Sequence, residues 1–182
     1  MADYKEAHGV RAKLVSSNPT NPTDGQLWYN STDEALRYKK ADSAGAWSTG
    51  GDMVNGRRLL AGSGTQTAGL AFGGEPVVAE TYEYDGSSWT DTANMGTGRR
   101  SGASFGPQTA AGTAGGNASA GDVPTAVYET YDGSSWSEGP DLGTSRNNAA
   151  GAGTTTASLA FSGSGPGSTI RNETEEYDGS SW

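Results

Sequence analysis

Side chains able to bind or react are few in this chain, and their spacing limits what each can do. Five carboxylates, Glu80, Glu83, Glu173, Glu175 and Glu176, fall in two short clusters. Hard cations such as calcium take oxygen ligands of this kind. No Asp-x-Asp-x-Asp-Gly loop accompanies them, and glutamates on an exposed strand face are ordinarily solvated, so no metal site is expected. The paired arginines Arg57–Arg58 and Arg99–Arg100 have the chemistry to clamp an acidic glycan. The reading we favour has Arg57, Arg99 and Arg146 bracing neighbouring structural units through backbone carbonyls. His8 is the single histidine, and there is no cysteine. A histidine metal cage, a thiolate site and a Ser-His-Asp triad are thereby set aside. The chain is expected to be neither an enzyme nor a cofactor carrier.

The totals narrow the partners. A net charge of −9 with no basic patch repels phosphate backbones, so no nucleic acid is expected. No stretch approaches the ~20 apolar residues that span a bilayer, and the opening MADYKEAHGV lacks the apolar core of a secretory signal. A soluble protein made in a cytoplasm, without membrane insertion, is the expectation. Glycine contributes 29 residues, so much of the packing falls to small side chains. The bulky anchors are five Trp, eight Tyr and three Phe.

A repeat positions these residues. The hexamer YDGSSW occurs at Tyr84–Trp89, Tyr131–Trp136 and Tyr177–Trp182, at intervals of 47 and 46 residues. Read backwards from it, segments beginning at Asp52, Asn94 and Asp141 align over 23 positions without a gap. Arg57, Arg99 and Arg146 then coincide, as do Gly64, Gly106 and Gly153, and Thr67, Thr109 and Thr156. A stretch of unequal length follows, longer in the second and third copies (GNASAGDVPTA and SGSGPGSTI). A fixed frame with one elastic segment describes a structural unit with a variable loop. Periods of about 40–50 residues built from short strands point to propeller blades.

In the first copy four strands are expected, roughly over Leu59–Gly64, Ala68–Gly73, Glu80–Tyr84 and Ser88–Thr90. Turn residues punctuate them, and no window has sustained helical periodicity. The first strands are rich in Ala, Gly and Ser, which fit where blades converge on an axis. In the third strands Tyr84, Tyr131 and Tyr177 alternate with the polar Glu83, Thr130 and Glu176, expected to point outward. Asp-Gly-Ser-Ser is turn chemistry, so YDGSSW reads as a hairpin between third and fourth strands. Its aromatic residues, with Trp47 by register, are expected to pack blade against blade: Tyr84, Tyr131, Tyr177, Trp89, Trp136 and Trp182.

This pattern resembles Kelch repeats. That family's unit carries a double glycine after the second strand, then a Tyr, then a Trp, and a Met- or Leu-led linker into the next Arg. Here the glycine pairs are Gly73–Gly74 and Gly115–Gly116, with Ser162–Gly163 in the third copy. Ten residues separate Trp89 from Arg99, Trp136 from Arg146, and Trp47 from Arg57. The resemblance implies an all-β chain of Kelch-like β-propeller blades in three repeats, 52–93, 94–140 and 141–182. An N-terminal segment, 1–51, with short strands precedes them. Tyr38 and Trp47 read as the outer half of a preceding blade. Three repeats are fewer than the four to eight blades that usually close a ring. More of a longer protein, or another subunit, is therefore expected to complete it.

The N-terminal run DGQLWYNSTDEALRY…GAW, with turns at Asp24–Gly25 and Asn30–Asp33, is similar to segments of bacteriophage tail-fibre and other virion appendage proteins, particularly of marine phages with Kelch-like repeats. This resemblance implies a non-catalytic virion component, in the tail or on the capsid, made in the bacterial host cytoplasm. Its N-terminal region would attach to other virion proteins, and its blades would face a host surface. A bacterial surface glycan or protein and a further copy of the chain stand as open partners. The ligand-facing candidates are the variable loops 117–126 and 164–172, through Asn117, Asp122, Ser164, Ser168 and Asn172, because recognition concentrates on variable loops. A glycan-active enzyme with catalytic loops outside this chain, and a purely structural decoration protein, are the alternatives.

Overall fold

A computed structural model describes residues 4–7, 10–22, 25–39 and 47–182, and the chain divides into two compact units, 1–48 and 49–182. His8 and Asp24 lie outside the described residues. Among those residues the structure is all-β, with two single 3-10 turns, and no helix is long and apolar enough to cross a membrane.

The first unit is a four-stranded sheet of β1 (Tyr4–Ala7), β2 (Val10–Val15), β3 (Leu27–Asn30) and β4 (Ala35–Tyr38), ordered as in the chain. β1 and β2, and β3 and β4, pair antiparallel, whereas β2 and β3 run parallel. Parallel neighbours need a crossover rather than a tight turn. Asn18 on that crossover accepts from Trp28 Nε1 at 3.1 Å and from Asn30 Nδ2 at 3.0 Å. Asn30 also donates to Asp33 at 3.0 Å, tying the crossover to the turn before β4. Trp28 and Asn30 are the buried residues of β3. The expectation that Tyr38 and Trp47 form the outer half of a blade does not hold. Tyr38 ends a strand of a sheet with a parallel pair, which an antiparallel blade lacks, and Trp47 is fully exposed.

The second unit carries three Kelch-like propeller blades, an incomplete ring. The first is β5 (Ala61–Thr65), β6 (Ala68–Phe72), β7 (Thr81–Tyr84) and β8 (Trp89–Thr92), an antiparallel meander. The second is β9 (Ala103–Phe105), β10 (Ala111–Ala114), β11 (Tyr128–Tyr131) and β12 (Trp136–Gly139). The third has three strands, β13 (Ala150–Thr154), β14 (Ala157–Phe161) and β15 (Thr174–Tyr177). The first strand begins two residues later than the sequence pattern predicts. Leu59, at φ 57°, instead gives its carbonyl to the Ser101 amide of the next blade at 2.9 Å. Ser101 repeats this with Asn148 at 2.8 Å, so inner strands are stitched blade to blade. Small residues are required there: a Cβ on Gly151 of β13 would meet the Ser104 carbonyl of β9 at 2.9 Å.

Each hexamer is a turn closed by its aspartate, and in the first two blades it joins the third strand to the fourth as a hairpin. Asp85 Oδ1 accepts the amides of Ser87 and Ser88, both at 2.8 Å, and Asp132 accepts those of Ser134 and Ser135 in the same way. The cross-strand Tyr84–Trp89 and Tyr131–Trp136 pairs stack at 5.0 and 5.3 Å, both tilted by 38°. Side chains alternate across a strand, so each blade has two faces. Leu70, Phe72, Thr81 and Glu83 of the first blade meet Ala111, Tyr131 and Trp136 of the second. Trp136 stands edge-on to Phe72 at 5.0 Å and donates Nε1–H to Thr81 Oγ1 at 3.0 Å. Glu83 is not solvated as its position predicts; it accepts the Tyr131 hydroxyl at 2.8 Å. The second interface is built by Phe105, Ala114 and Tyr128 against Ala160, Tyr177 and Trp182.

Candidate functional site

The arginines that the repeat superposes are the interior frame of the site. Arg99 is 2% exposed. Its guanidinium donates to the carbonyls of Gly115 (3.3 Å), just after β10, and Val127 (2.5 Å), just before β11, and pairs with Glu129 of β11. Arg146 repeats the arrangement on Ser162 O (3.3 Å), Glu173 O (3.0 Å) and Glu175 (2.5 Å). In the first blade Tyr82 occupies the position of Glu129 and Glu175. Arg57 accordingly bonds the Tyr82 hydroxyl at 3.1 Å and takes its carboxylate from Glu80, also at 3.1 Å. The arginine carbonyls face the preceding blade, accepting from Gly74 (2.9 Å) for Arg99 and from Gly116 (2.8 Å) for Arg146. A Cβ on Gly73 would meet the Arg99 carbonyl at 2.2 Å, which is why glycine stands there at φ 68°. Burial pushes the Arg99 guanidinium pKa down, and Glu129 opposes that shift. All three are therefore braces of their own blade through the side chain, and Arg99 and Arg146 also hold the blade before through the backbone. Being buried or half-buried and paired, they are not free to clamp an acidic ligand.

Each brace holds the root of a variable loop. In the second blade Asn117 is buried and pairs its backbone with Arg100. Its Nδ2 donates to Asp122 at 3.0 Å, and its Oδ1 accepts from Asn147 of the third blade at 2.7 Å. Asn117 thus faces inward, as a joint between blades. Arg100, 7% exposed, pairs with Asp122 (2.5 Å) of its own loop and with Glu75 of the first blade. In the third blade Ser164 bridges both Asn147 and Ile170, and the Gly165 amide donates to Thr169 O at 2.8 Å. Ser168 (φ 61°) and Asn172 are exposed.

The loop tips meet at a cleft of about 270 Å³ between second and third blades. Asp122, Val123 and Pro124 line one wall, and Pro166, Gly167 and Ser168 the other. Of the sequence candidates, Asp122 and Ser168 reach this cleft; Ser164 supports its wall from the loop root, while Asn117 and Asn172 do not line it. Val123 and Ile170 are exposed apolar tips on the two loops, at 61% and 85%. Sequence reasoning missed Glu75, Asn147 and Glu129. A signal existed for the last: Glu129 and Glu175 both lie two residues before the hexamer Tyr. Glu75 and Asn147 gave none, because their partners come from neighbouring blades.

The other carboxylates of the two clusters do not converge. Glu80 and Glu175 serve arginines, Glu83 serves Tyr131, and Glu173 accepts the Asn172 amide at 3.1 Å. A second cavity of about 370 Å³ lies between the same two blades at the opposite strand ends, lined by Tyr128, Tyr131, Asp132, Thr155 and Tyr177 among others. Its phenol Tyr128 donates to Thr155 O at 3.2 Å, and burial pushes its pKa up to about 12. Tyr128 is spent on packing.

No family model matches the chain, and no curated protein matches it. Among solved structures it is similar to one described as "Structure of YjhT", with a TM-score of 0.56 and 14% sequence identity over 81% of this chain and 47% of that one. The likeness shows the fold, and the chain spans less than half the length of that structure.

Proposed function

We propose that this protein is a non-catalytic component of a phage particle, a tail fibre or capsid-surface appendage that presents propeller blades to a host surface. One observation carries the reading: two loops of unequal composition, rooted on identical arginine braces, converge on a single cleft. Recognition on a repeated scaffold lives on such loops. The cleft mixes backbone amides and hydroxyls with the exposed Val123 and the rings of Pro124 and Pro166. That surface suits many weak contacts to a glycan or protein, multiplied by copies on the particle. Its carboxylate, Asp122, is held by Arg100 and Asn117, so it secures the loop and is not poised for proton transfer. The resemblance of the N-terminal segment to virion appendage proteins supplies the setting.

The test is a glycan array with the purified protein, alongside adsorption of particles lacking it. Binding without product release, together with impaired adsorption, is the expected result. Product release would favour a glycan-active enzyme. Normal adsorption of particles lacking the protein would leave a purely structural decoration.

A further inference from the structure

The two interfaces between blades share one frame, yet they treat the hexamer tyrosine differently. At the first interface Tyr131 is fully paired by the blade before it. Its hydroxyl donates to the Glu83 carboxylate at 2.8 Å. With that proton given, the Thr92 hydroxyl, 2.9 Å away, is the donor to the Tyr131 oxygen. By repeat register Tyr177 is the same residue at the second interface, and both partners should come from the second blade, whose four strands are all described. There Thr130 stands in place of Glu83 and Gly139 in place of Thr92. Neither serves the phenol, and the Tyr177 hydroxyl has no hydrogen-bond partner among the described residues.

The cavity of about 370 Å³ lies at this point, with Thr130, Gly139 and Tyr177 all on its wall. Tyr128 accounts for the glycine, because a Cβ on Gly139 would meet its ring at 2.8 Å. Packing does not account for Thr130, whose short side chain leaves empty the space that a glutamate fills at the first interface. The volume sits at the lower end of the range of about 300–1,000 Å³ usual for small-molecule sites. It has room for one ring rather than a chain.

The unmet demand at Tyr177 describes the ligand. The phenol lacks an acceptor for its proton and a donor to its oxygen, and hydroxyl groups supply both. Thr109, Thr130 and Thr155 add further hydroxyl-bearing residues to the wall, and the half-buried Tyr177 ring adds an apolar face. A hydrocarbon would leave the phenol unpaired. An anion would meet the Asp132 carboxylate in a chain of net charge −9. A neutral polyol meets neither objection.

We propose that this cavity binds a single neutral sugar ring. One sugar hydroxyl accepts the Tyr177 proton, as Glu83 does for Tyr131, and a neighbouring one donates to the phenol oxygen, as Thr92 does. The site is separate from the loop cleft at the opposite strand ends, and it stands whether or not that cleft binds a host surface.

Saturation-transfer NMR of the full chain with the methyl glycosides of glucose, galactose and mannose tests this. The best of the three should bind with a dissociation constant of about 1 mM, because one ring makes few contacts. No signal from any of them at about 10 mM, where such a site is mostly filled, overturns the proposal. Tyr177→Phe keeps the ring and should weaken binding about tenfold, the scale of one lost hydrogen bond. Thr130→Glu rebuilds the arrangement of the first interface, so it should abolish binding while the urea midpoint is kept or raised. Where Thr130→Glu loses its strand circular dichroism, Tyr177→Phe, which removes a single oxygen, decides alone. Asp122→Ala and Ser168→Ala, both in the loop cleft, should leave the affinity unchanged. Binding that survives Tyr177→Phe and falls with Asp122→Ala would put the sugar in the loop cleft and refute this site.

Discussion

Replacing Arg99 with methionine tests the claim that the repeat is framed by buried braces. Methionine keeps much of the aliphatic volume and removes the charge. Arg99 and Glu129 are 2% and 3% exposed at the side chain, so the substitution strands a carboxylate with the Gly96 amide, at 2.6 Å, as its remaining partner. It also frees the carbonyls of Gly115 and Val127. Breaking a buried ion pair from one side costs about 3–5 kcal/mol. Arg57→Met is the internal comparison, because Glu80 is 38% exposed and water can solvate it once unpaired. That variant should lose about 1–2 kcal/mol. Urea unfolding of the second unit, followed by tryptophan fluorescence with unchanged m, reads both values. Adding Glu129→Gln to Arg99→Met removes the stranded charge and should recover about 1–3 kcal/mol. If Arg99→Met costs no more than Arg57→Met, or if Glu129→Gln recovers nothing, the reasoning about burial is wrong.

Three further outcomes are expected. Hydrogen bonds from the serines, Ser88 first for Asp85 and Ser134 first for Asp132, hold both carboxyls down to about 2, and Asp178 is lowered likewise by Ser180 and Ser181. Groups whose folded pKa is depressed contribute stability that is present above the unfolded value near 3.8 and is lost as pH falls through about 2. A Tm series from pH 5 to 2 should therefore fall more steeply for the native chain than for a triple variant with Asp85, Asp132 and Asp178 changed to Asn. Gly106→Ala places a Cβ 2.2 Å from the Ala110 carbonyl at φ 88°, and should destabilise by at least ~1 kcal/mol in the same urea assay. Asp122→Ala removes the partner of Arg100 and Asn117, so hydrogen exchange should accelerate across 117–126 and leave β9–β12 unchanged.

Local chemistry made the blades legible. Strand alternation, the Asp-Gly-Ser-Ser turn and the glycine pairs each reflect a backbone demand met within a few residues, so the period and the strand order follow from the chain read alone. A bracing role for Arg57, Arg99 and Arg146 was legible in their constant spacing from each Trp. The expected reach of their side chains to neighbouring units does not hold, because each guanidinium bonds carbonyls of its own blade. Residues whose partners lie in another blade were read less well. Glu83 looks like a solvated strand residue until Tyr131 arrives 48 positions later. Asn117 looks like a loop tip until Asn147 and Arg100 turn it inward.

The N-terminal unit marks the same boundary. Its short strands and the turn at Asn30–Asp33 were visible, but the parallel pairing of β2 with β3 was not. Parallel pairing joins segments with no tight turn between them, so no local signature announces it. By itself, then, the sequence determined the repeat, its hairpins and the small residues near the axis, because sterics and turn chemistry act over a few bonds. Tertiary structure alone decided which polar groups are buried partners and which variable loops share a cleft. Both depend on chain segments that meet only when the blades pack.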